Sequence, residues 1–266
     1  MDLQLNGKRA LVTGGSSGIG RAVARQLALE GARVAIAARD HRRLVLTAEE
    51  LGGQVGAKIA TAPVDTRSDA SVRDMVVSVV GDLGGLDILV NAAAKPGGPA
   101  STPGLAGLTD EAFLEEINVK VLGYLRTARE AVPHMMGSGW GRIINISGLS
   151  ARQTGSIIGS IRNVAVSALT KNLADEFGPK GINVTVVHPG MTQTERSADR
   201  LADIAASNRV SVEETERRIA ASISIGRIVN AAEVADVVAF LASPRSTAIN
   251  GDAIACGGGI RGAIHY

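Results

Sequence analysis

The run Thr13-Gly14-Gly15-Ser16-Ser17-Gly18-Ile19-Gly20 directly follows an apolar stretch, residues 9–13, and opens a helix-period segment. Glycines at 14, 18 and 20 suit a tight turn, close approach of backbone to a diphosphate, and close packing of helix on strand. A helix starting there turns unpaired N–H groups and a partial positive charge toward an anion. Gly14, Ser16, Ser17, Gly18, Ile19 and Gly20 are the residues that would line it. A glycine-rich turn with no ligand is the bland alternative, and the strand–turn–helix setting weighs against it. His188, just before Pro189-Gly190, titrates in a range useful for proton transfer, although a histidine at a strand end is more often structural or exposed.

The elements that must position these residues alternate along the chain. Residues 9–13, 33–38, 58–64, 87–91, 142–147, 182–187 and 252–256 read as strands, continuous in apolar character as strands covered on both faces should be. Helical segments lie between them; in the first, Ile19, Val23 and Leu27 recur at four-residue steps, and Gly31 stands where a helix end tolerates positive φ. This alternation predicts an α/β fold: a single doubly wound, Rossmann-type domain over residues 1–266, with a parallel seven-stranded sheet and helices on both faces. The 266 residues are 45% apolar, enough for a large core, and carry a net charge of +2, too weak a field to favour nucleic acid or an anionic membrane. One cysteine, Cys256, rules out an internal disulfide, and no apolar run is long enough to span a bilayer. A soluble cytoplasmic protein without a metal site is the expectation.

Thr13-Gly14-x-x-x-Gly18-x-Gly20 resembles the cofactor loop of the short-chain dehydrogenase/reductase family. The resemblance continues through Asn91-Ala-Ala-Ala94, through the helix asparagine Asn118 in INVKVLG, and through GRIINIS leading to Ser147. It extends through HPGMTQT, with Pro189, Gly190, Thr192 and Thr194, and through EVADVVAFLAS. It implies a nicotinamide dinucleotide cofactor. Where NAD-preferring relatives carry an acid after the second strand, this chain has Ala38 followed by Arg39, which suits a bidentate contact with a 2′-phosphate, so NADP(H) is expected over NAD(H). Arg39, Arg42 and Arg43 as a solvated helix start is the competing reading. Asp65 falls where the family sets an aspartate against adenine; a helix N-cap is the alternative.

The family's chemistry rests on a tyrosine, a lysine four residues later, a serine and an asparagine. A free phenol near pKa 10 needs a nearby cation to work at neutral pH, and positions i and i+4 on one helix bring the two together. In GSIIGSIRNVAVSALTKNL the resemblance puts Gly159 at the tyrosine and Asn163 at the lysine. The only tyrosines are Tyr124 and Tyr266, and Lys171 lies two turns too far. Ser147 or Ser150 would serve as the serine, and Asn163 can still bond a ribose hydroxyl. Asn118, Ser147 and Asn163 are thus the catalytic candidates. Two functions follow: an NADP(H)-dependent oxidoreductase on a small carbonyl or alcohol with a non-standard proton donor, or a catalytically silent cofactor binder acting as sensor or partner subunit. Residues 191–224 would form a substrate lid, with Ser211 and Glu214 spaced as a capping box. By resemblance, two long helices, about 110–136 and 156–177, would pair copies into a homo-dimer or homo-tetramer.

Overall fold

Short runs of Val, Ile and Ala alternate with amphipathic helices, and each strand–helix–strand crossover brings the next strand in parallel to its neighbour. The computed structural model describes residues 1–94 and 104–262. Its strands are β1 (Arg9–Thr13), β2 (Arg33–Ala38), β3 (Ala60–Pro63), β4 (Ile88–Asn91), β5 (Gly141–Ile146), β6 (Ile182–Pro189), β7 (Thr192–Gln193), β8 (Val229–Asn230) and β9 (Ala253–Cys256). The main sheet is seven-stranded and parallel, in the order β3-β2-β1-β4-β5-β6-β9. Strand order reverses between β1 and β4, which opens a crevice at their carboxyl ends.

The helices are α1 (Gly18–Leu29), α2 (His41–Val55), α3 (Asp69–Leu83), α4 (Asp110–Glu116), α5 (Gly123–Ser138), α6 (Ile157–Phe177), α7 (Ser197–Asn208), α8 (Val212–Ala221) and α9 (Ala231–Ala242). Side chains alternate through the sheet: Ala10 and Val12 of β1 enter one core with Val23 and Leu27 of α1 and Val234 and Val238 of α9. Leu11 enters the other, with Val72 and Val76 of α3 and Ala131 and Met135 of α5. Burial on both faces explains why the strands read as unbroken apolar runs. Among the described residues no helix is long and apolar enough to cross a membrane.

Three expectations change in detail. β3 is shorter than residues 58–64, because only Ala60–Pro63 pair with β2. The helix expected over 110–136 is not uniform: between α4 and α5, Ile117–Leu122 winds as a π-helix. At α8, Ser211 accepts the Glu214 N–H at 3.1 Å, but the Glu214 carboxylate turns to Arg217 and Arg218, so half of the capping box forms. A complete box instead starts α9, where Asn230 and Glu233 bond reciprocally.

Candidate active site

The glycine loop joins β1 to α1 at the crevice. Gly14 has φ +70°, and a Cβ there would stand 2.7 Å from Ala92 O, so only glycine lets β1 and β4 close at this point. A Cβ on Gly20 would stand 2.4 Å from Gly14 O, which explains the close seating of α1 on the loop. Ser17 caps α1 without a side-chain bond, leaving the first-turn amides to other partners. One of them, Gly18 N–H, donates to Glu195 Oε1 at 2.7 Å, and Arg43 Nη2 lies 3.5 Å from the same oxygen. The loop thus already takes a carboxylate, as an anion cradle should. Ser16 is tied in by its carbonyl, which accepts the Thr47 hydroxyl at 3.3 Å, and Ile19 packs partly buried against the core.

At the rim, Arg39 is exposed after β2 and makes no hydrogen bond or ion pair among the described residues. Asp65 is not an N-cap: Ser68 caps α3, accepting Ser71 N–H at 3.2 Å. The Asp65 carboxylate turns to Arg67, with Nη2 at 2.7 Å, and that contact holds its pKa below the usual range. Asn91 is fully buried, donating to Asn145 Oδ1 at 3.0 Å and accepting the Thr127 hydroxyl at 2.7 Å. Pro189 ends β6 and Gly190 follows; a Cβ on Gly190 would stand 3.1 Å from Gly257 Cα. Thr192 is buried and bonds Gly190 O at 3.0 Å, while Thr194 Cγ2 lies 3.8 Å from the Cβ position of Gly18. The strap of residues 189–195 therefore meets the glycine loop through Thr194 and Glu195.

Below that strap the ends of β5 and β6 meet α6. Ser147 donates from its hydroxyl to Asn163 O at 3.2 Å. Asn163 donates from Nδ2 to Ser150 Oγ at 2.5 Å and accepts at Oδ1 from Lys120 Nζ at 2.8 Å. Lys120 also donates to Ser147 O at 3.0 Å and is only 3% exposed. Burial pushes its pKa down to about 7, with the neighbouring Arg162 charge adding to the shift and Glu116 opposing it. A Cβ on Gly148 would stand 3.0 Å from Asn163 Nδ2, and one on Gly159 would stand 3.6 Å from Ser150 Oγ. Ser147, Ser150 and Asn163 are brought together; Asn118 is not joined to them, since its Oδ1 accepts from Arg126 Nη1 at 2.9 Å.

Among the described residues, the other groups weighed as proton sources are engaged. Tyr124 is buried and donates to Ile146 O at 2.9 Å; burial raises its pKa further. Tyr266 lies outside the described residues. Lys171 pairs with Asp175 on an exposed face. His188 accepts Gly148 N–H at Nδ1 (3.3 Å) and meets Ser167 Oγ at Nε2 (3.3 Å), and burial lowers its pKa to about 4, so it is neutral at pH 7. Among the described residues no group of three or more His, Cys, Asp or Glu could hold a metal.

Lys120 had one sequence signal: a lysine amid Val119, Val121 and Leu122. Its partner Asn163 lies 43 residues away, beyond any local pattern. The π turn inserts an extra residue and rotates everything after it. Glu195 gave no signal, because its contact with Gly18 spans 177 residues.

These features match known proteins over nearly the whole chain. Residues 14–261 match the family model described as enoyl-(acyl carrier protein) reductase. The 3-oxoacyl-(acyl-carrier-protein) reductase of Aquifex aeolicus is 31% identical, covering 98% of this chain and 100% of that protein. The L-sorbose reductase of Gluconobacter frateurii, solved with NADPH and L-sorbose, superposes with a TM-score of 0.92 at 30% identity, over 99% of this chain and 100% of that one. An actinorhodin polyketide ketoreductase variant solved with NADPH gives 0.87 at 35% identity, over 94% and 96%. With a family model matched over residues 14–261 and relatives 30% or more identical over nearly the whole chain, the chain belongs to the short-chain dehydrogenase/reductase family.

Proposed function

We propose that the protein binds NADP(H) in preference to NAD(H) and interconverts a small carbonyl compound and its alcohol, using a proton donor other than tyrosine. The observation that carries this reading is the loop at Gly14–Gly20, closed on Ala92 and with Gly18 N–H already bonded to a carboxylate oxygen. The residues fit the cofactor: the α1 amides for the pyrophosphate, Arg39 for a 2′-phosphate, Asp65 beside the adenine end, and Asn163 for the nicotinamide ribose. When bound, the cofactor supplies or accepts the hydride. The NADPH in two similar solved structures supports the phosphate preference.

The chain's own residues do the rest. Residues 189–194 close the nicotinamide end from the sheet side, and α7 and α8 act as the lid over the substrate. Asn91 braces the crevice through its buried bonds to Asn145 and Thr127. Polar contact with substrate oxygen falls to the serine hydroxyls around Asn163. Exposed Leu114, Leu122, Ile157, Ile161 and Val164 on α4 to α6 offer an apolar face for assembly as a homo-dimer or homo-tetramer. Glycine at 159 and asparagine at 163, where the resemblance sets the tyrosine and lysine, favour the second reading, a silent cofactor binder.

NADPH oxidation over aldehydes, ketones and activated alkenes separates the two. Turnover with any of them supports the reductase. Tight NADPH binding without turnover favours the silent binder, and absence of binding removes both.

A further inference from the structure

We propose that Lys120 is the ammonium of this site, relocated from α6 to the π-helical turn, and that it acts through Asn163 to set the Ser150 hydroxyl as hydrogen-bond donor to the substrate oxygen. The inference rests on the oxidoreductase reading and names the groups that reading leaves open. Three observations converge. First, Lys120 is one of six lysines and is 3% exposed, yet its two acceptors are a carbonyl and an amide oxygen. Its nearest acid, Glu116, is already paired with Arg162. Burying an ammonium without its own carboxylate is costly, and a methionine of similar length would avoid that cost, so such a residue marks a site.

Second, the polarity of the chain is fixed. An ammonium only donates, so Asn163 Oδ1 must face Lys120 and Nδ2 must face Ser150. Ser150 Oγ accepts from Asn163, and its own proton is committed only to Gly159 O at 3.4 Å, a long contact easily exchanged. The donors strengthen one another in sequence, so the charge on Nζ makes the Ser150 hydroxyl a better donor. Third, the position is right. Ser150 Oγ lies 3.6 Å from the Cβ position of Gly159, which the resemblance sets at the family's phenol, and bonds Asn163 Nδ2 at 2.5 Å. Lys120 is thus a positioning residue and Ser150 the group that touches substrate. As negative charge develops on the carbonyl oxygen, Ser150 stabilises it by hydrogen bonding, and solvent water supplies the proton that completes the alcohol.

Glu116, Arg162, His188, Arg152 and Tyr124 are the other charged or titratable groups around this cluster. The decisive measurement is the titration of the Lys120 Cε signal in protein labelled with ¹³C-lysine, assigned through Lys120→Arg, with and without NADPH. Near-neutral titration of the apo protein that moves upward by about one unit on NADPH binding is the expected result, because the cofactor's negative charge favours the ammonium. In parallel, Ser150→Ala and Lys120→Met should each lower kcat by about 10-fold or more with KM for the carbonyl substrate little changed, as for loss of an oxyanion donor, and Lys120→Arg should recover part of it. A midpoint unmoved by NADPH, or a Lys120→Met enzyme with kcat intact across the pH range, overturns the proposal. If wild-type protein binds NADPH yet reduces nothing, the oxidoreductase reading falls and the titration alone decides Lys120: a moved midpoint retains it as the charge of the cofactor site, an unmoved one removes it.

Discussion

Asn163→Lys, which places a lysine where the resemblance sets the family's, gives a penalty whose pH dependence follows from the structure. The new ammonium would meet Lys120 Nζ, which now sits 2.8 Å from Asn163 Oδ1. Two unit charges about 4 Å apart at an effective dielectric near 20 repel by about 4 kcal/mol. Lys120 can escape by releasing its proton, and with a pKa of about 7 this costs almost nothing at pH 8. At pH 5, two units lower, release costs about 2.7 kcal/mol at 1.36 kcal/mol per unit, less than the repulsion, so release sets the penalty. The sign follows: the variant depresses the folded-state pKa of Lys120 further below its unfolded value, so stability is lost as pH falls through 7. Beneath this lies a pH-independent loss of about 1–2 kcal/mol from the Asn163–Ser150 bond. Urea unfolding of wild type and Asn163→Lys at pH 5 to 8, repeated in a Lys120→Met background, reads both parts. A destabilisation that does not grow toward acid pH, or that grows equally without Lys120, would refute the reasoning. The same geometry says that Gly159→Tyr with Asn163→Lys is an incomplete reconstruction. A Cβ at 159 would stand 2.7 Å from the Ser156 Oγ that caps α6, and carbonyl reduction should exceed the wild-type rate only when Lys120→Met accompanies the pair.

Other outcomes are equally specific. Arg39→Ala should weaken NADPH binding about 10-fold or more, the worth of a charge-assisted contact, and leave NADH binding unchanged; equal losses for both would remove Arg39 from the 2′-phosphate. Glu195→Gln removes a negative charge from the α1 N-terminus and should tighten NADPH binding about two- to five-fold by fluorescence titration. Wild-type stability should rise between pH 7 and 9 as the unfolded chain holds the Lys120 proton that the folded chain has released, by about 2.7 kcal/mol at most, and Lys120→Met should abolish that rise. At acid pH the Arg9–Asp87 pair matters: hydrogen bonds from Arg9 hold the Asp87 carboxyl below its usual range against desolvation, so its contribution is present at neutral pH and lost below about pH 4. Asp87→Asn should therefore flatten the acid limb of the unfolding curve.

The sheet was legible because each strand is a local pattern with one physical cause, burial on both faces. The glycine loop was legible for a similar reason: Gly14 and Gly20 are required by contacts only a residue without Cβ can make. The resemblance also marked Gly159 and Asn163 as standing where the family has a phenol and an ammonium. The contact of Lys120 with Asn163 was not legible, because it joins residues 43 apart in sequence. Lys120 sits in a π turn at Ile117–Leu122, and no periodicity in VKVLG announces that turn. His188 reads as a titratable group by type, yet its neutral state is set by burial and by Gly148 and Ser167, neighbours distant in sequence. Asp65 reads as a cap by position and is instead held by Arg67, two residues on.

Isothermal calorimetry of folded protein with NADPH and with NADH tests the central claim most directly. The account predicts a micromolar or tighter constant for NADPH, about −8 kcal/mol or better, and binding of NADH at least about ten-fold weaker. No heat with either coenzyme, or tighter binding of NADH, would contradict it.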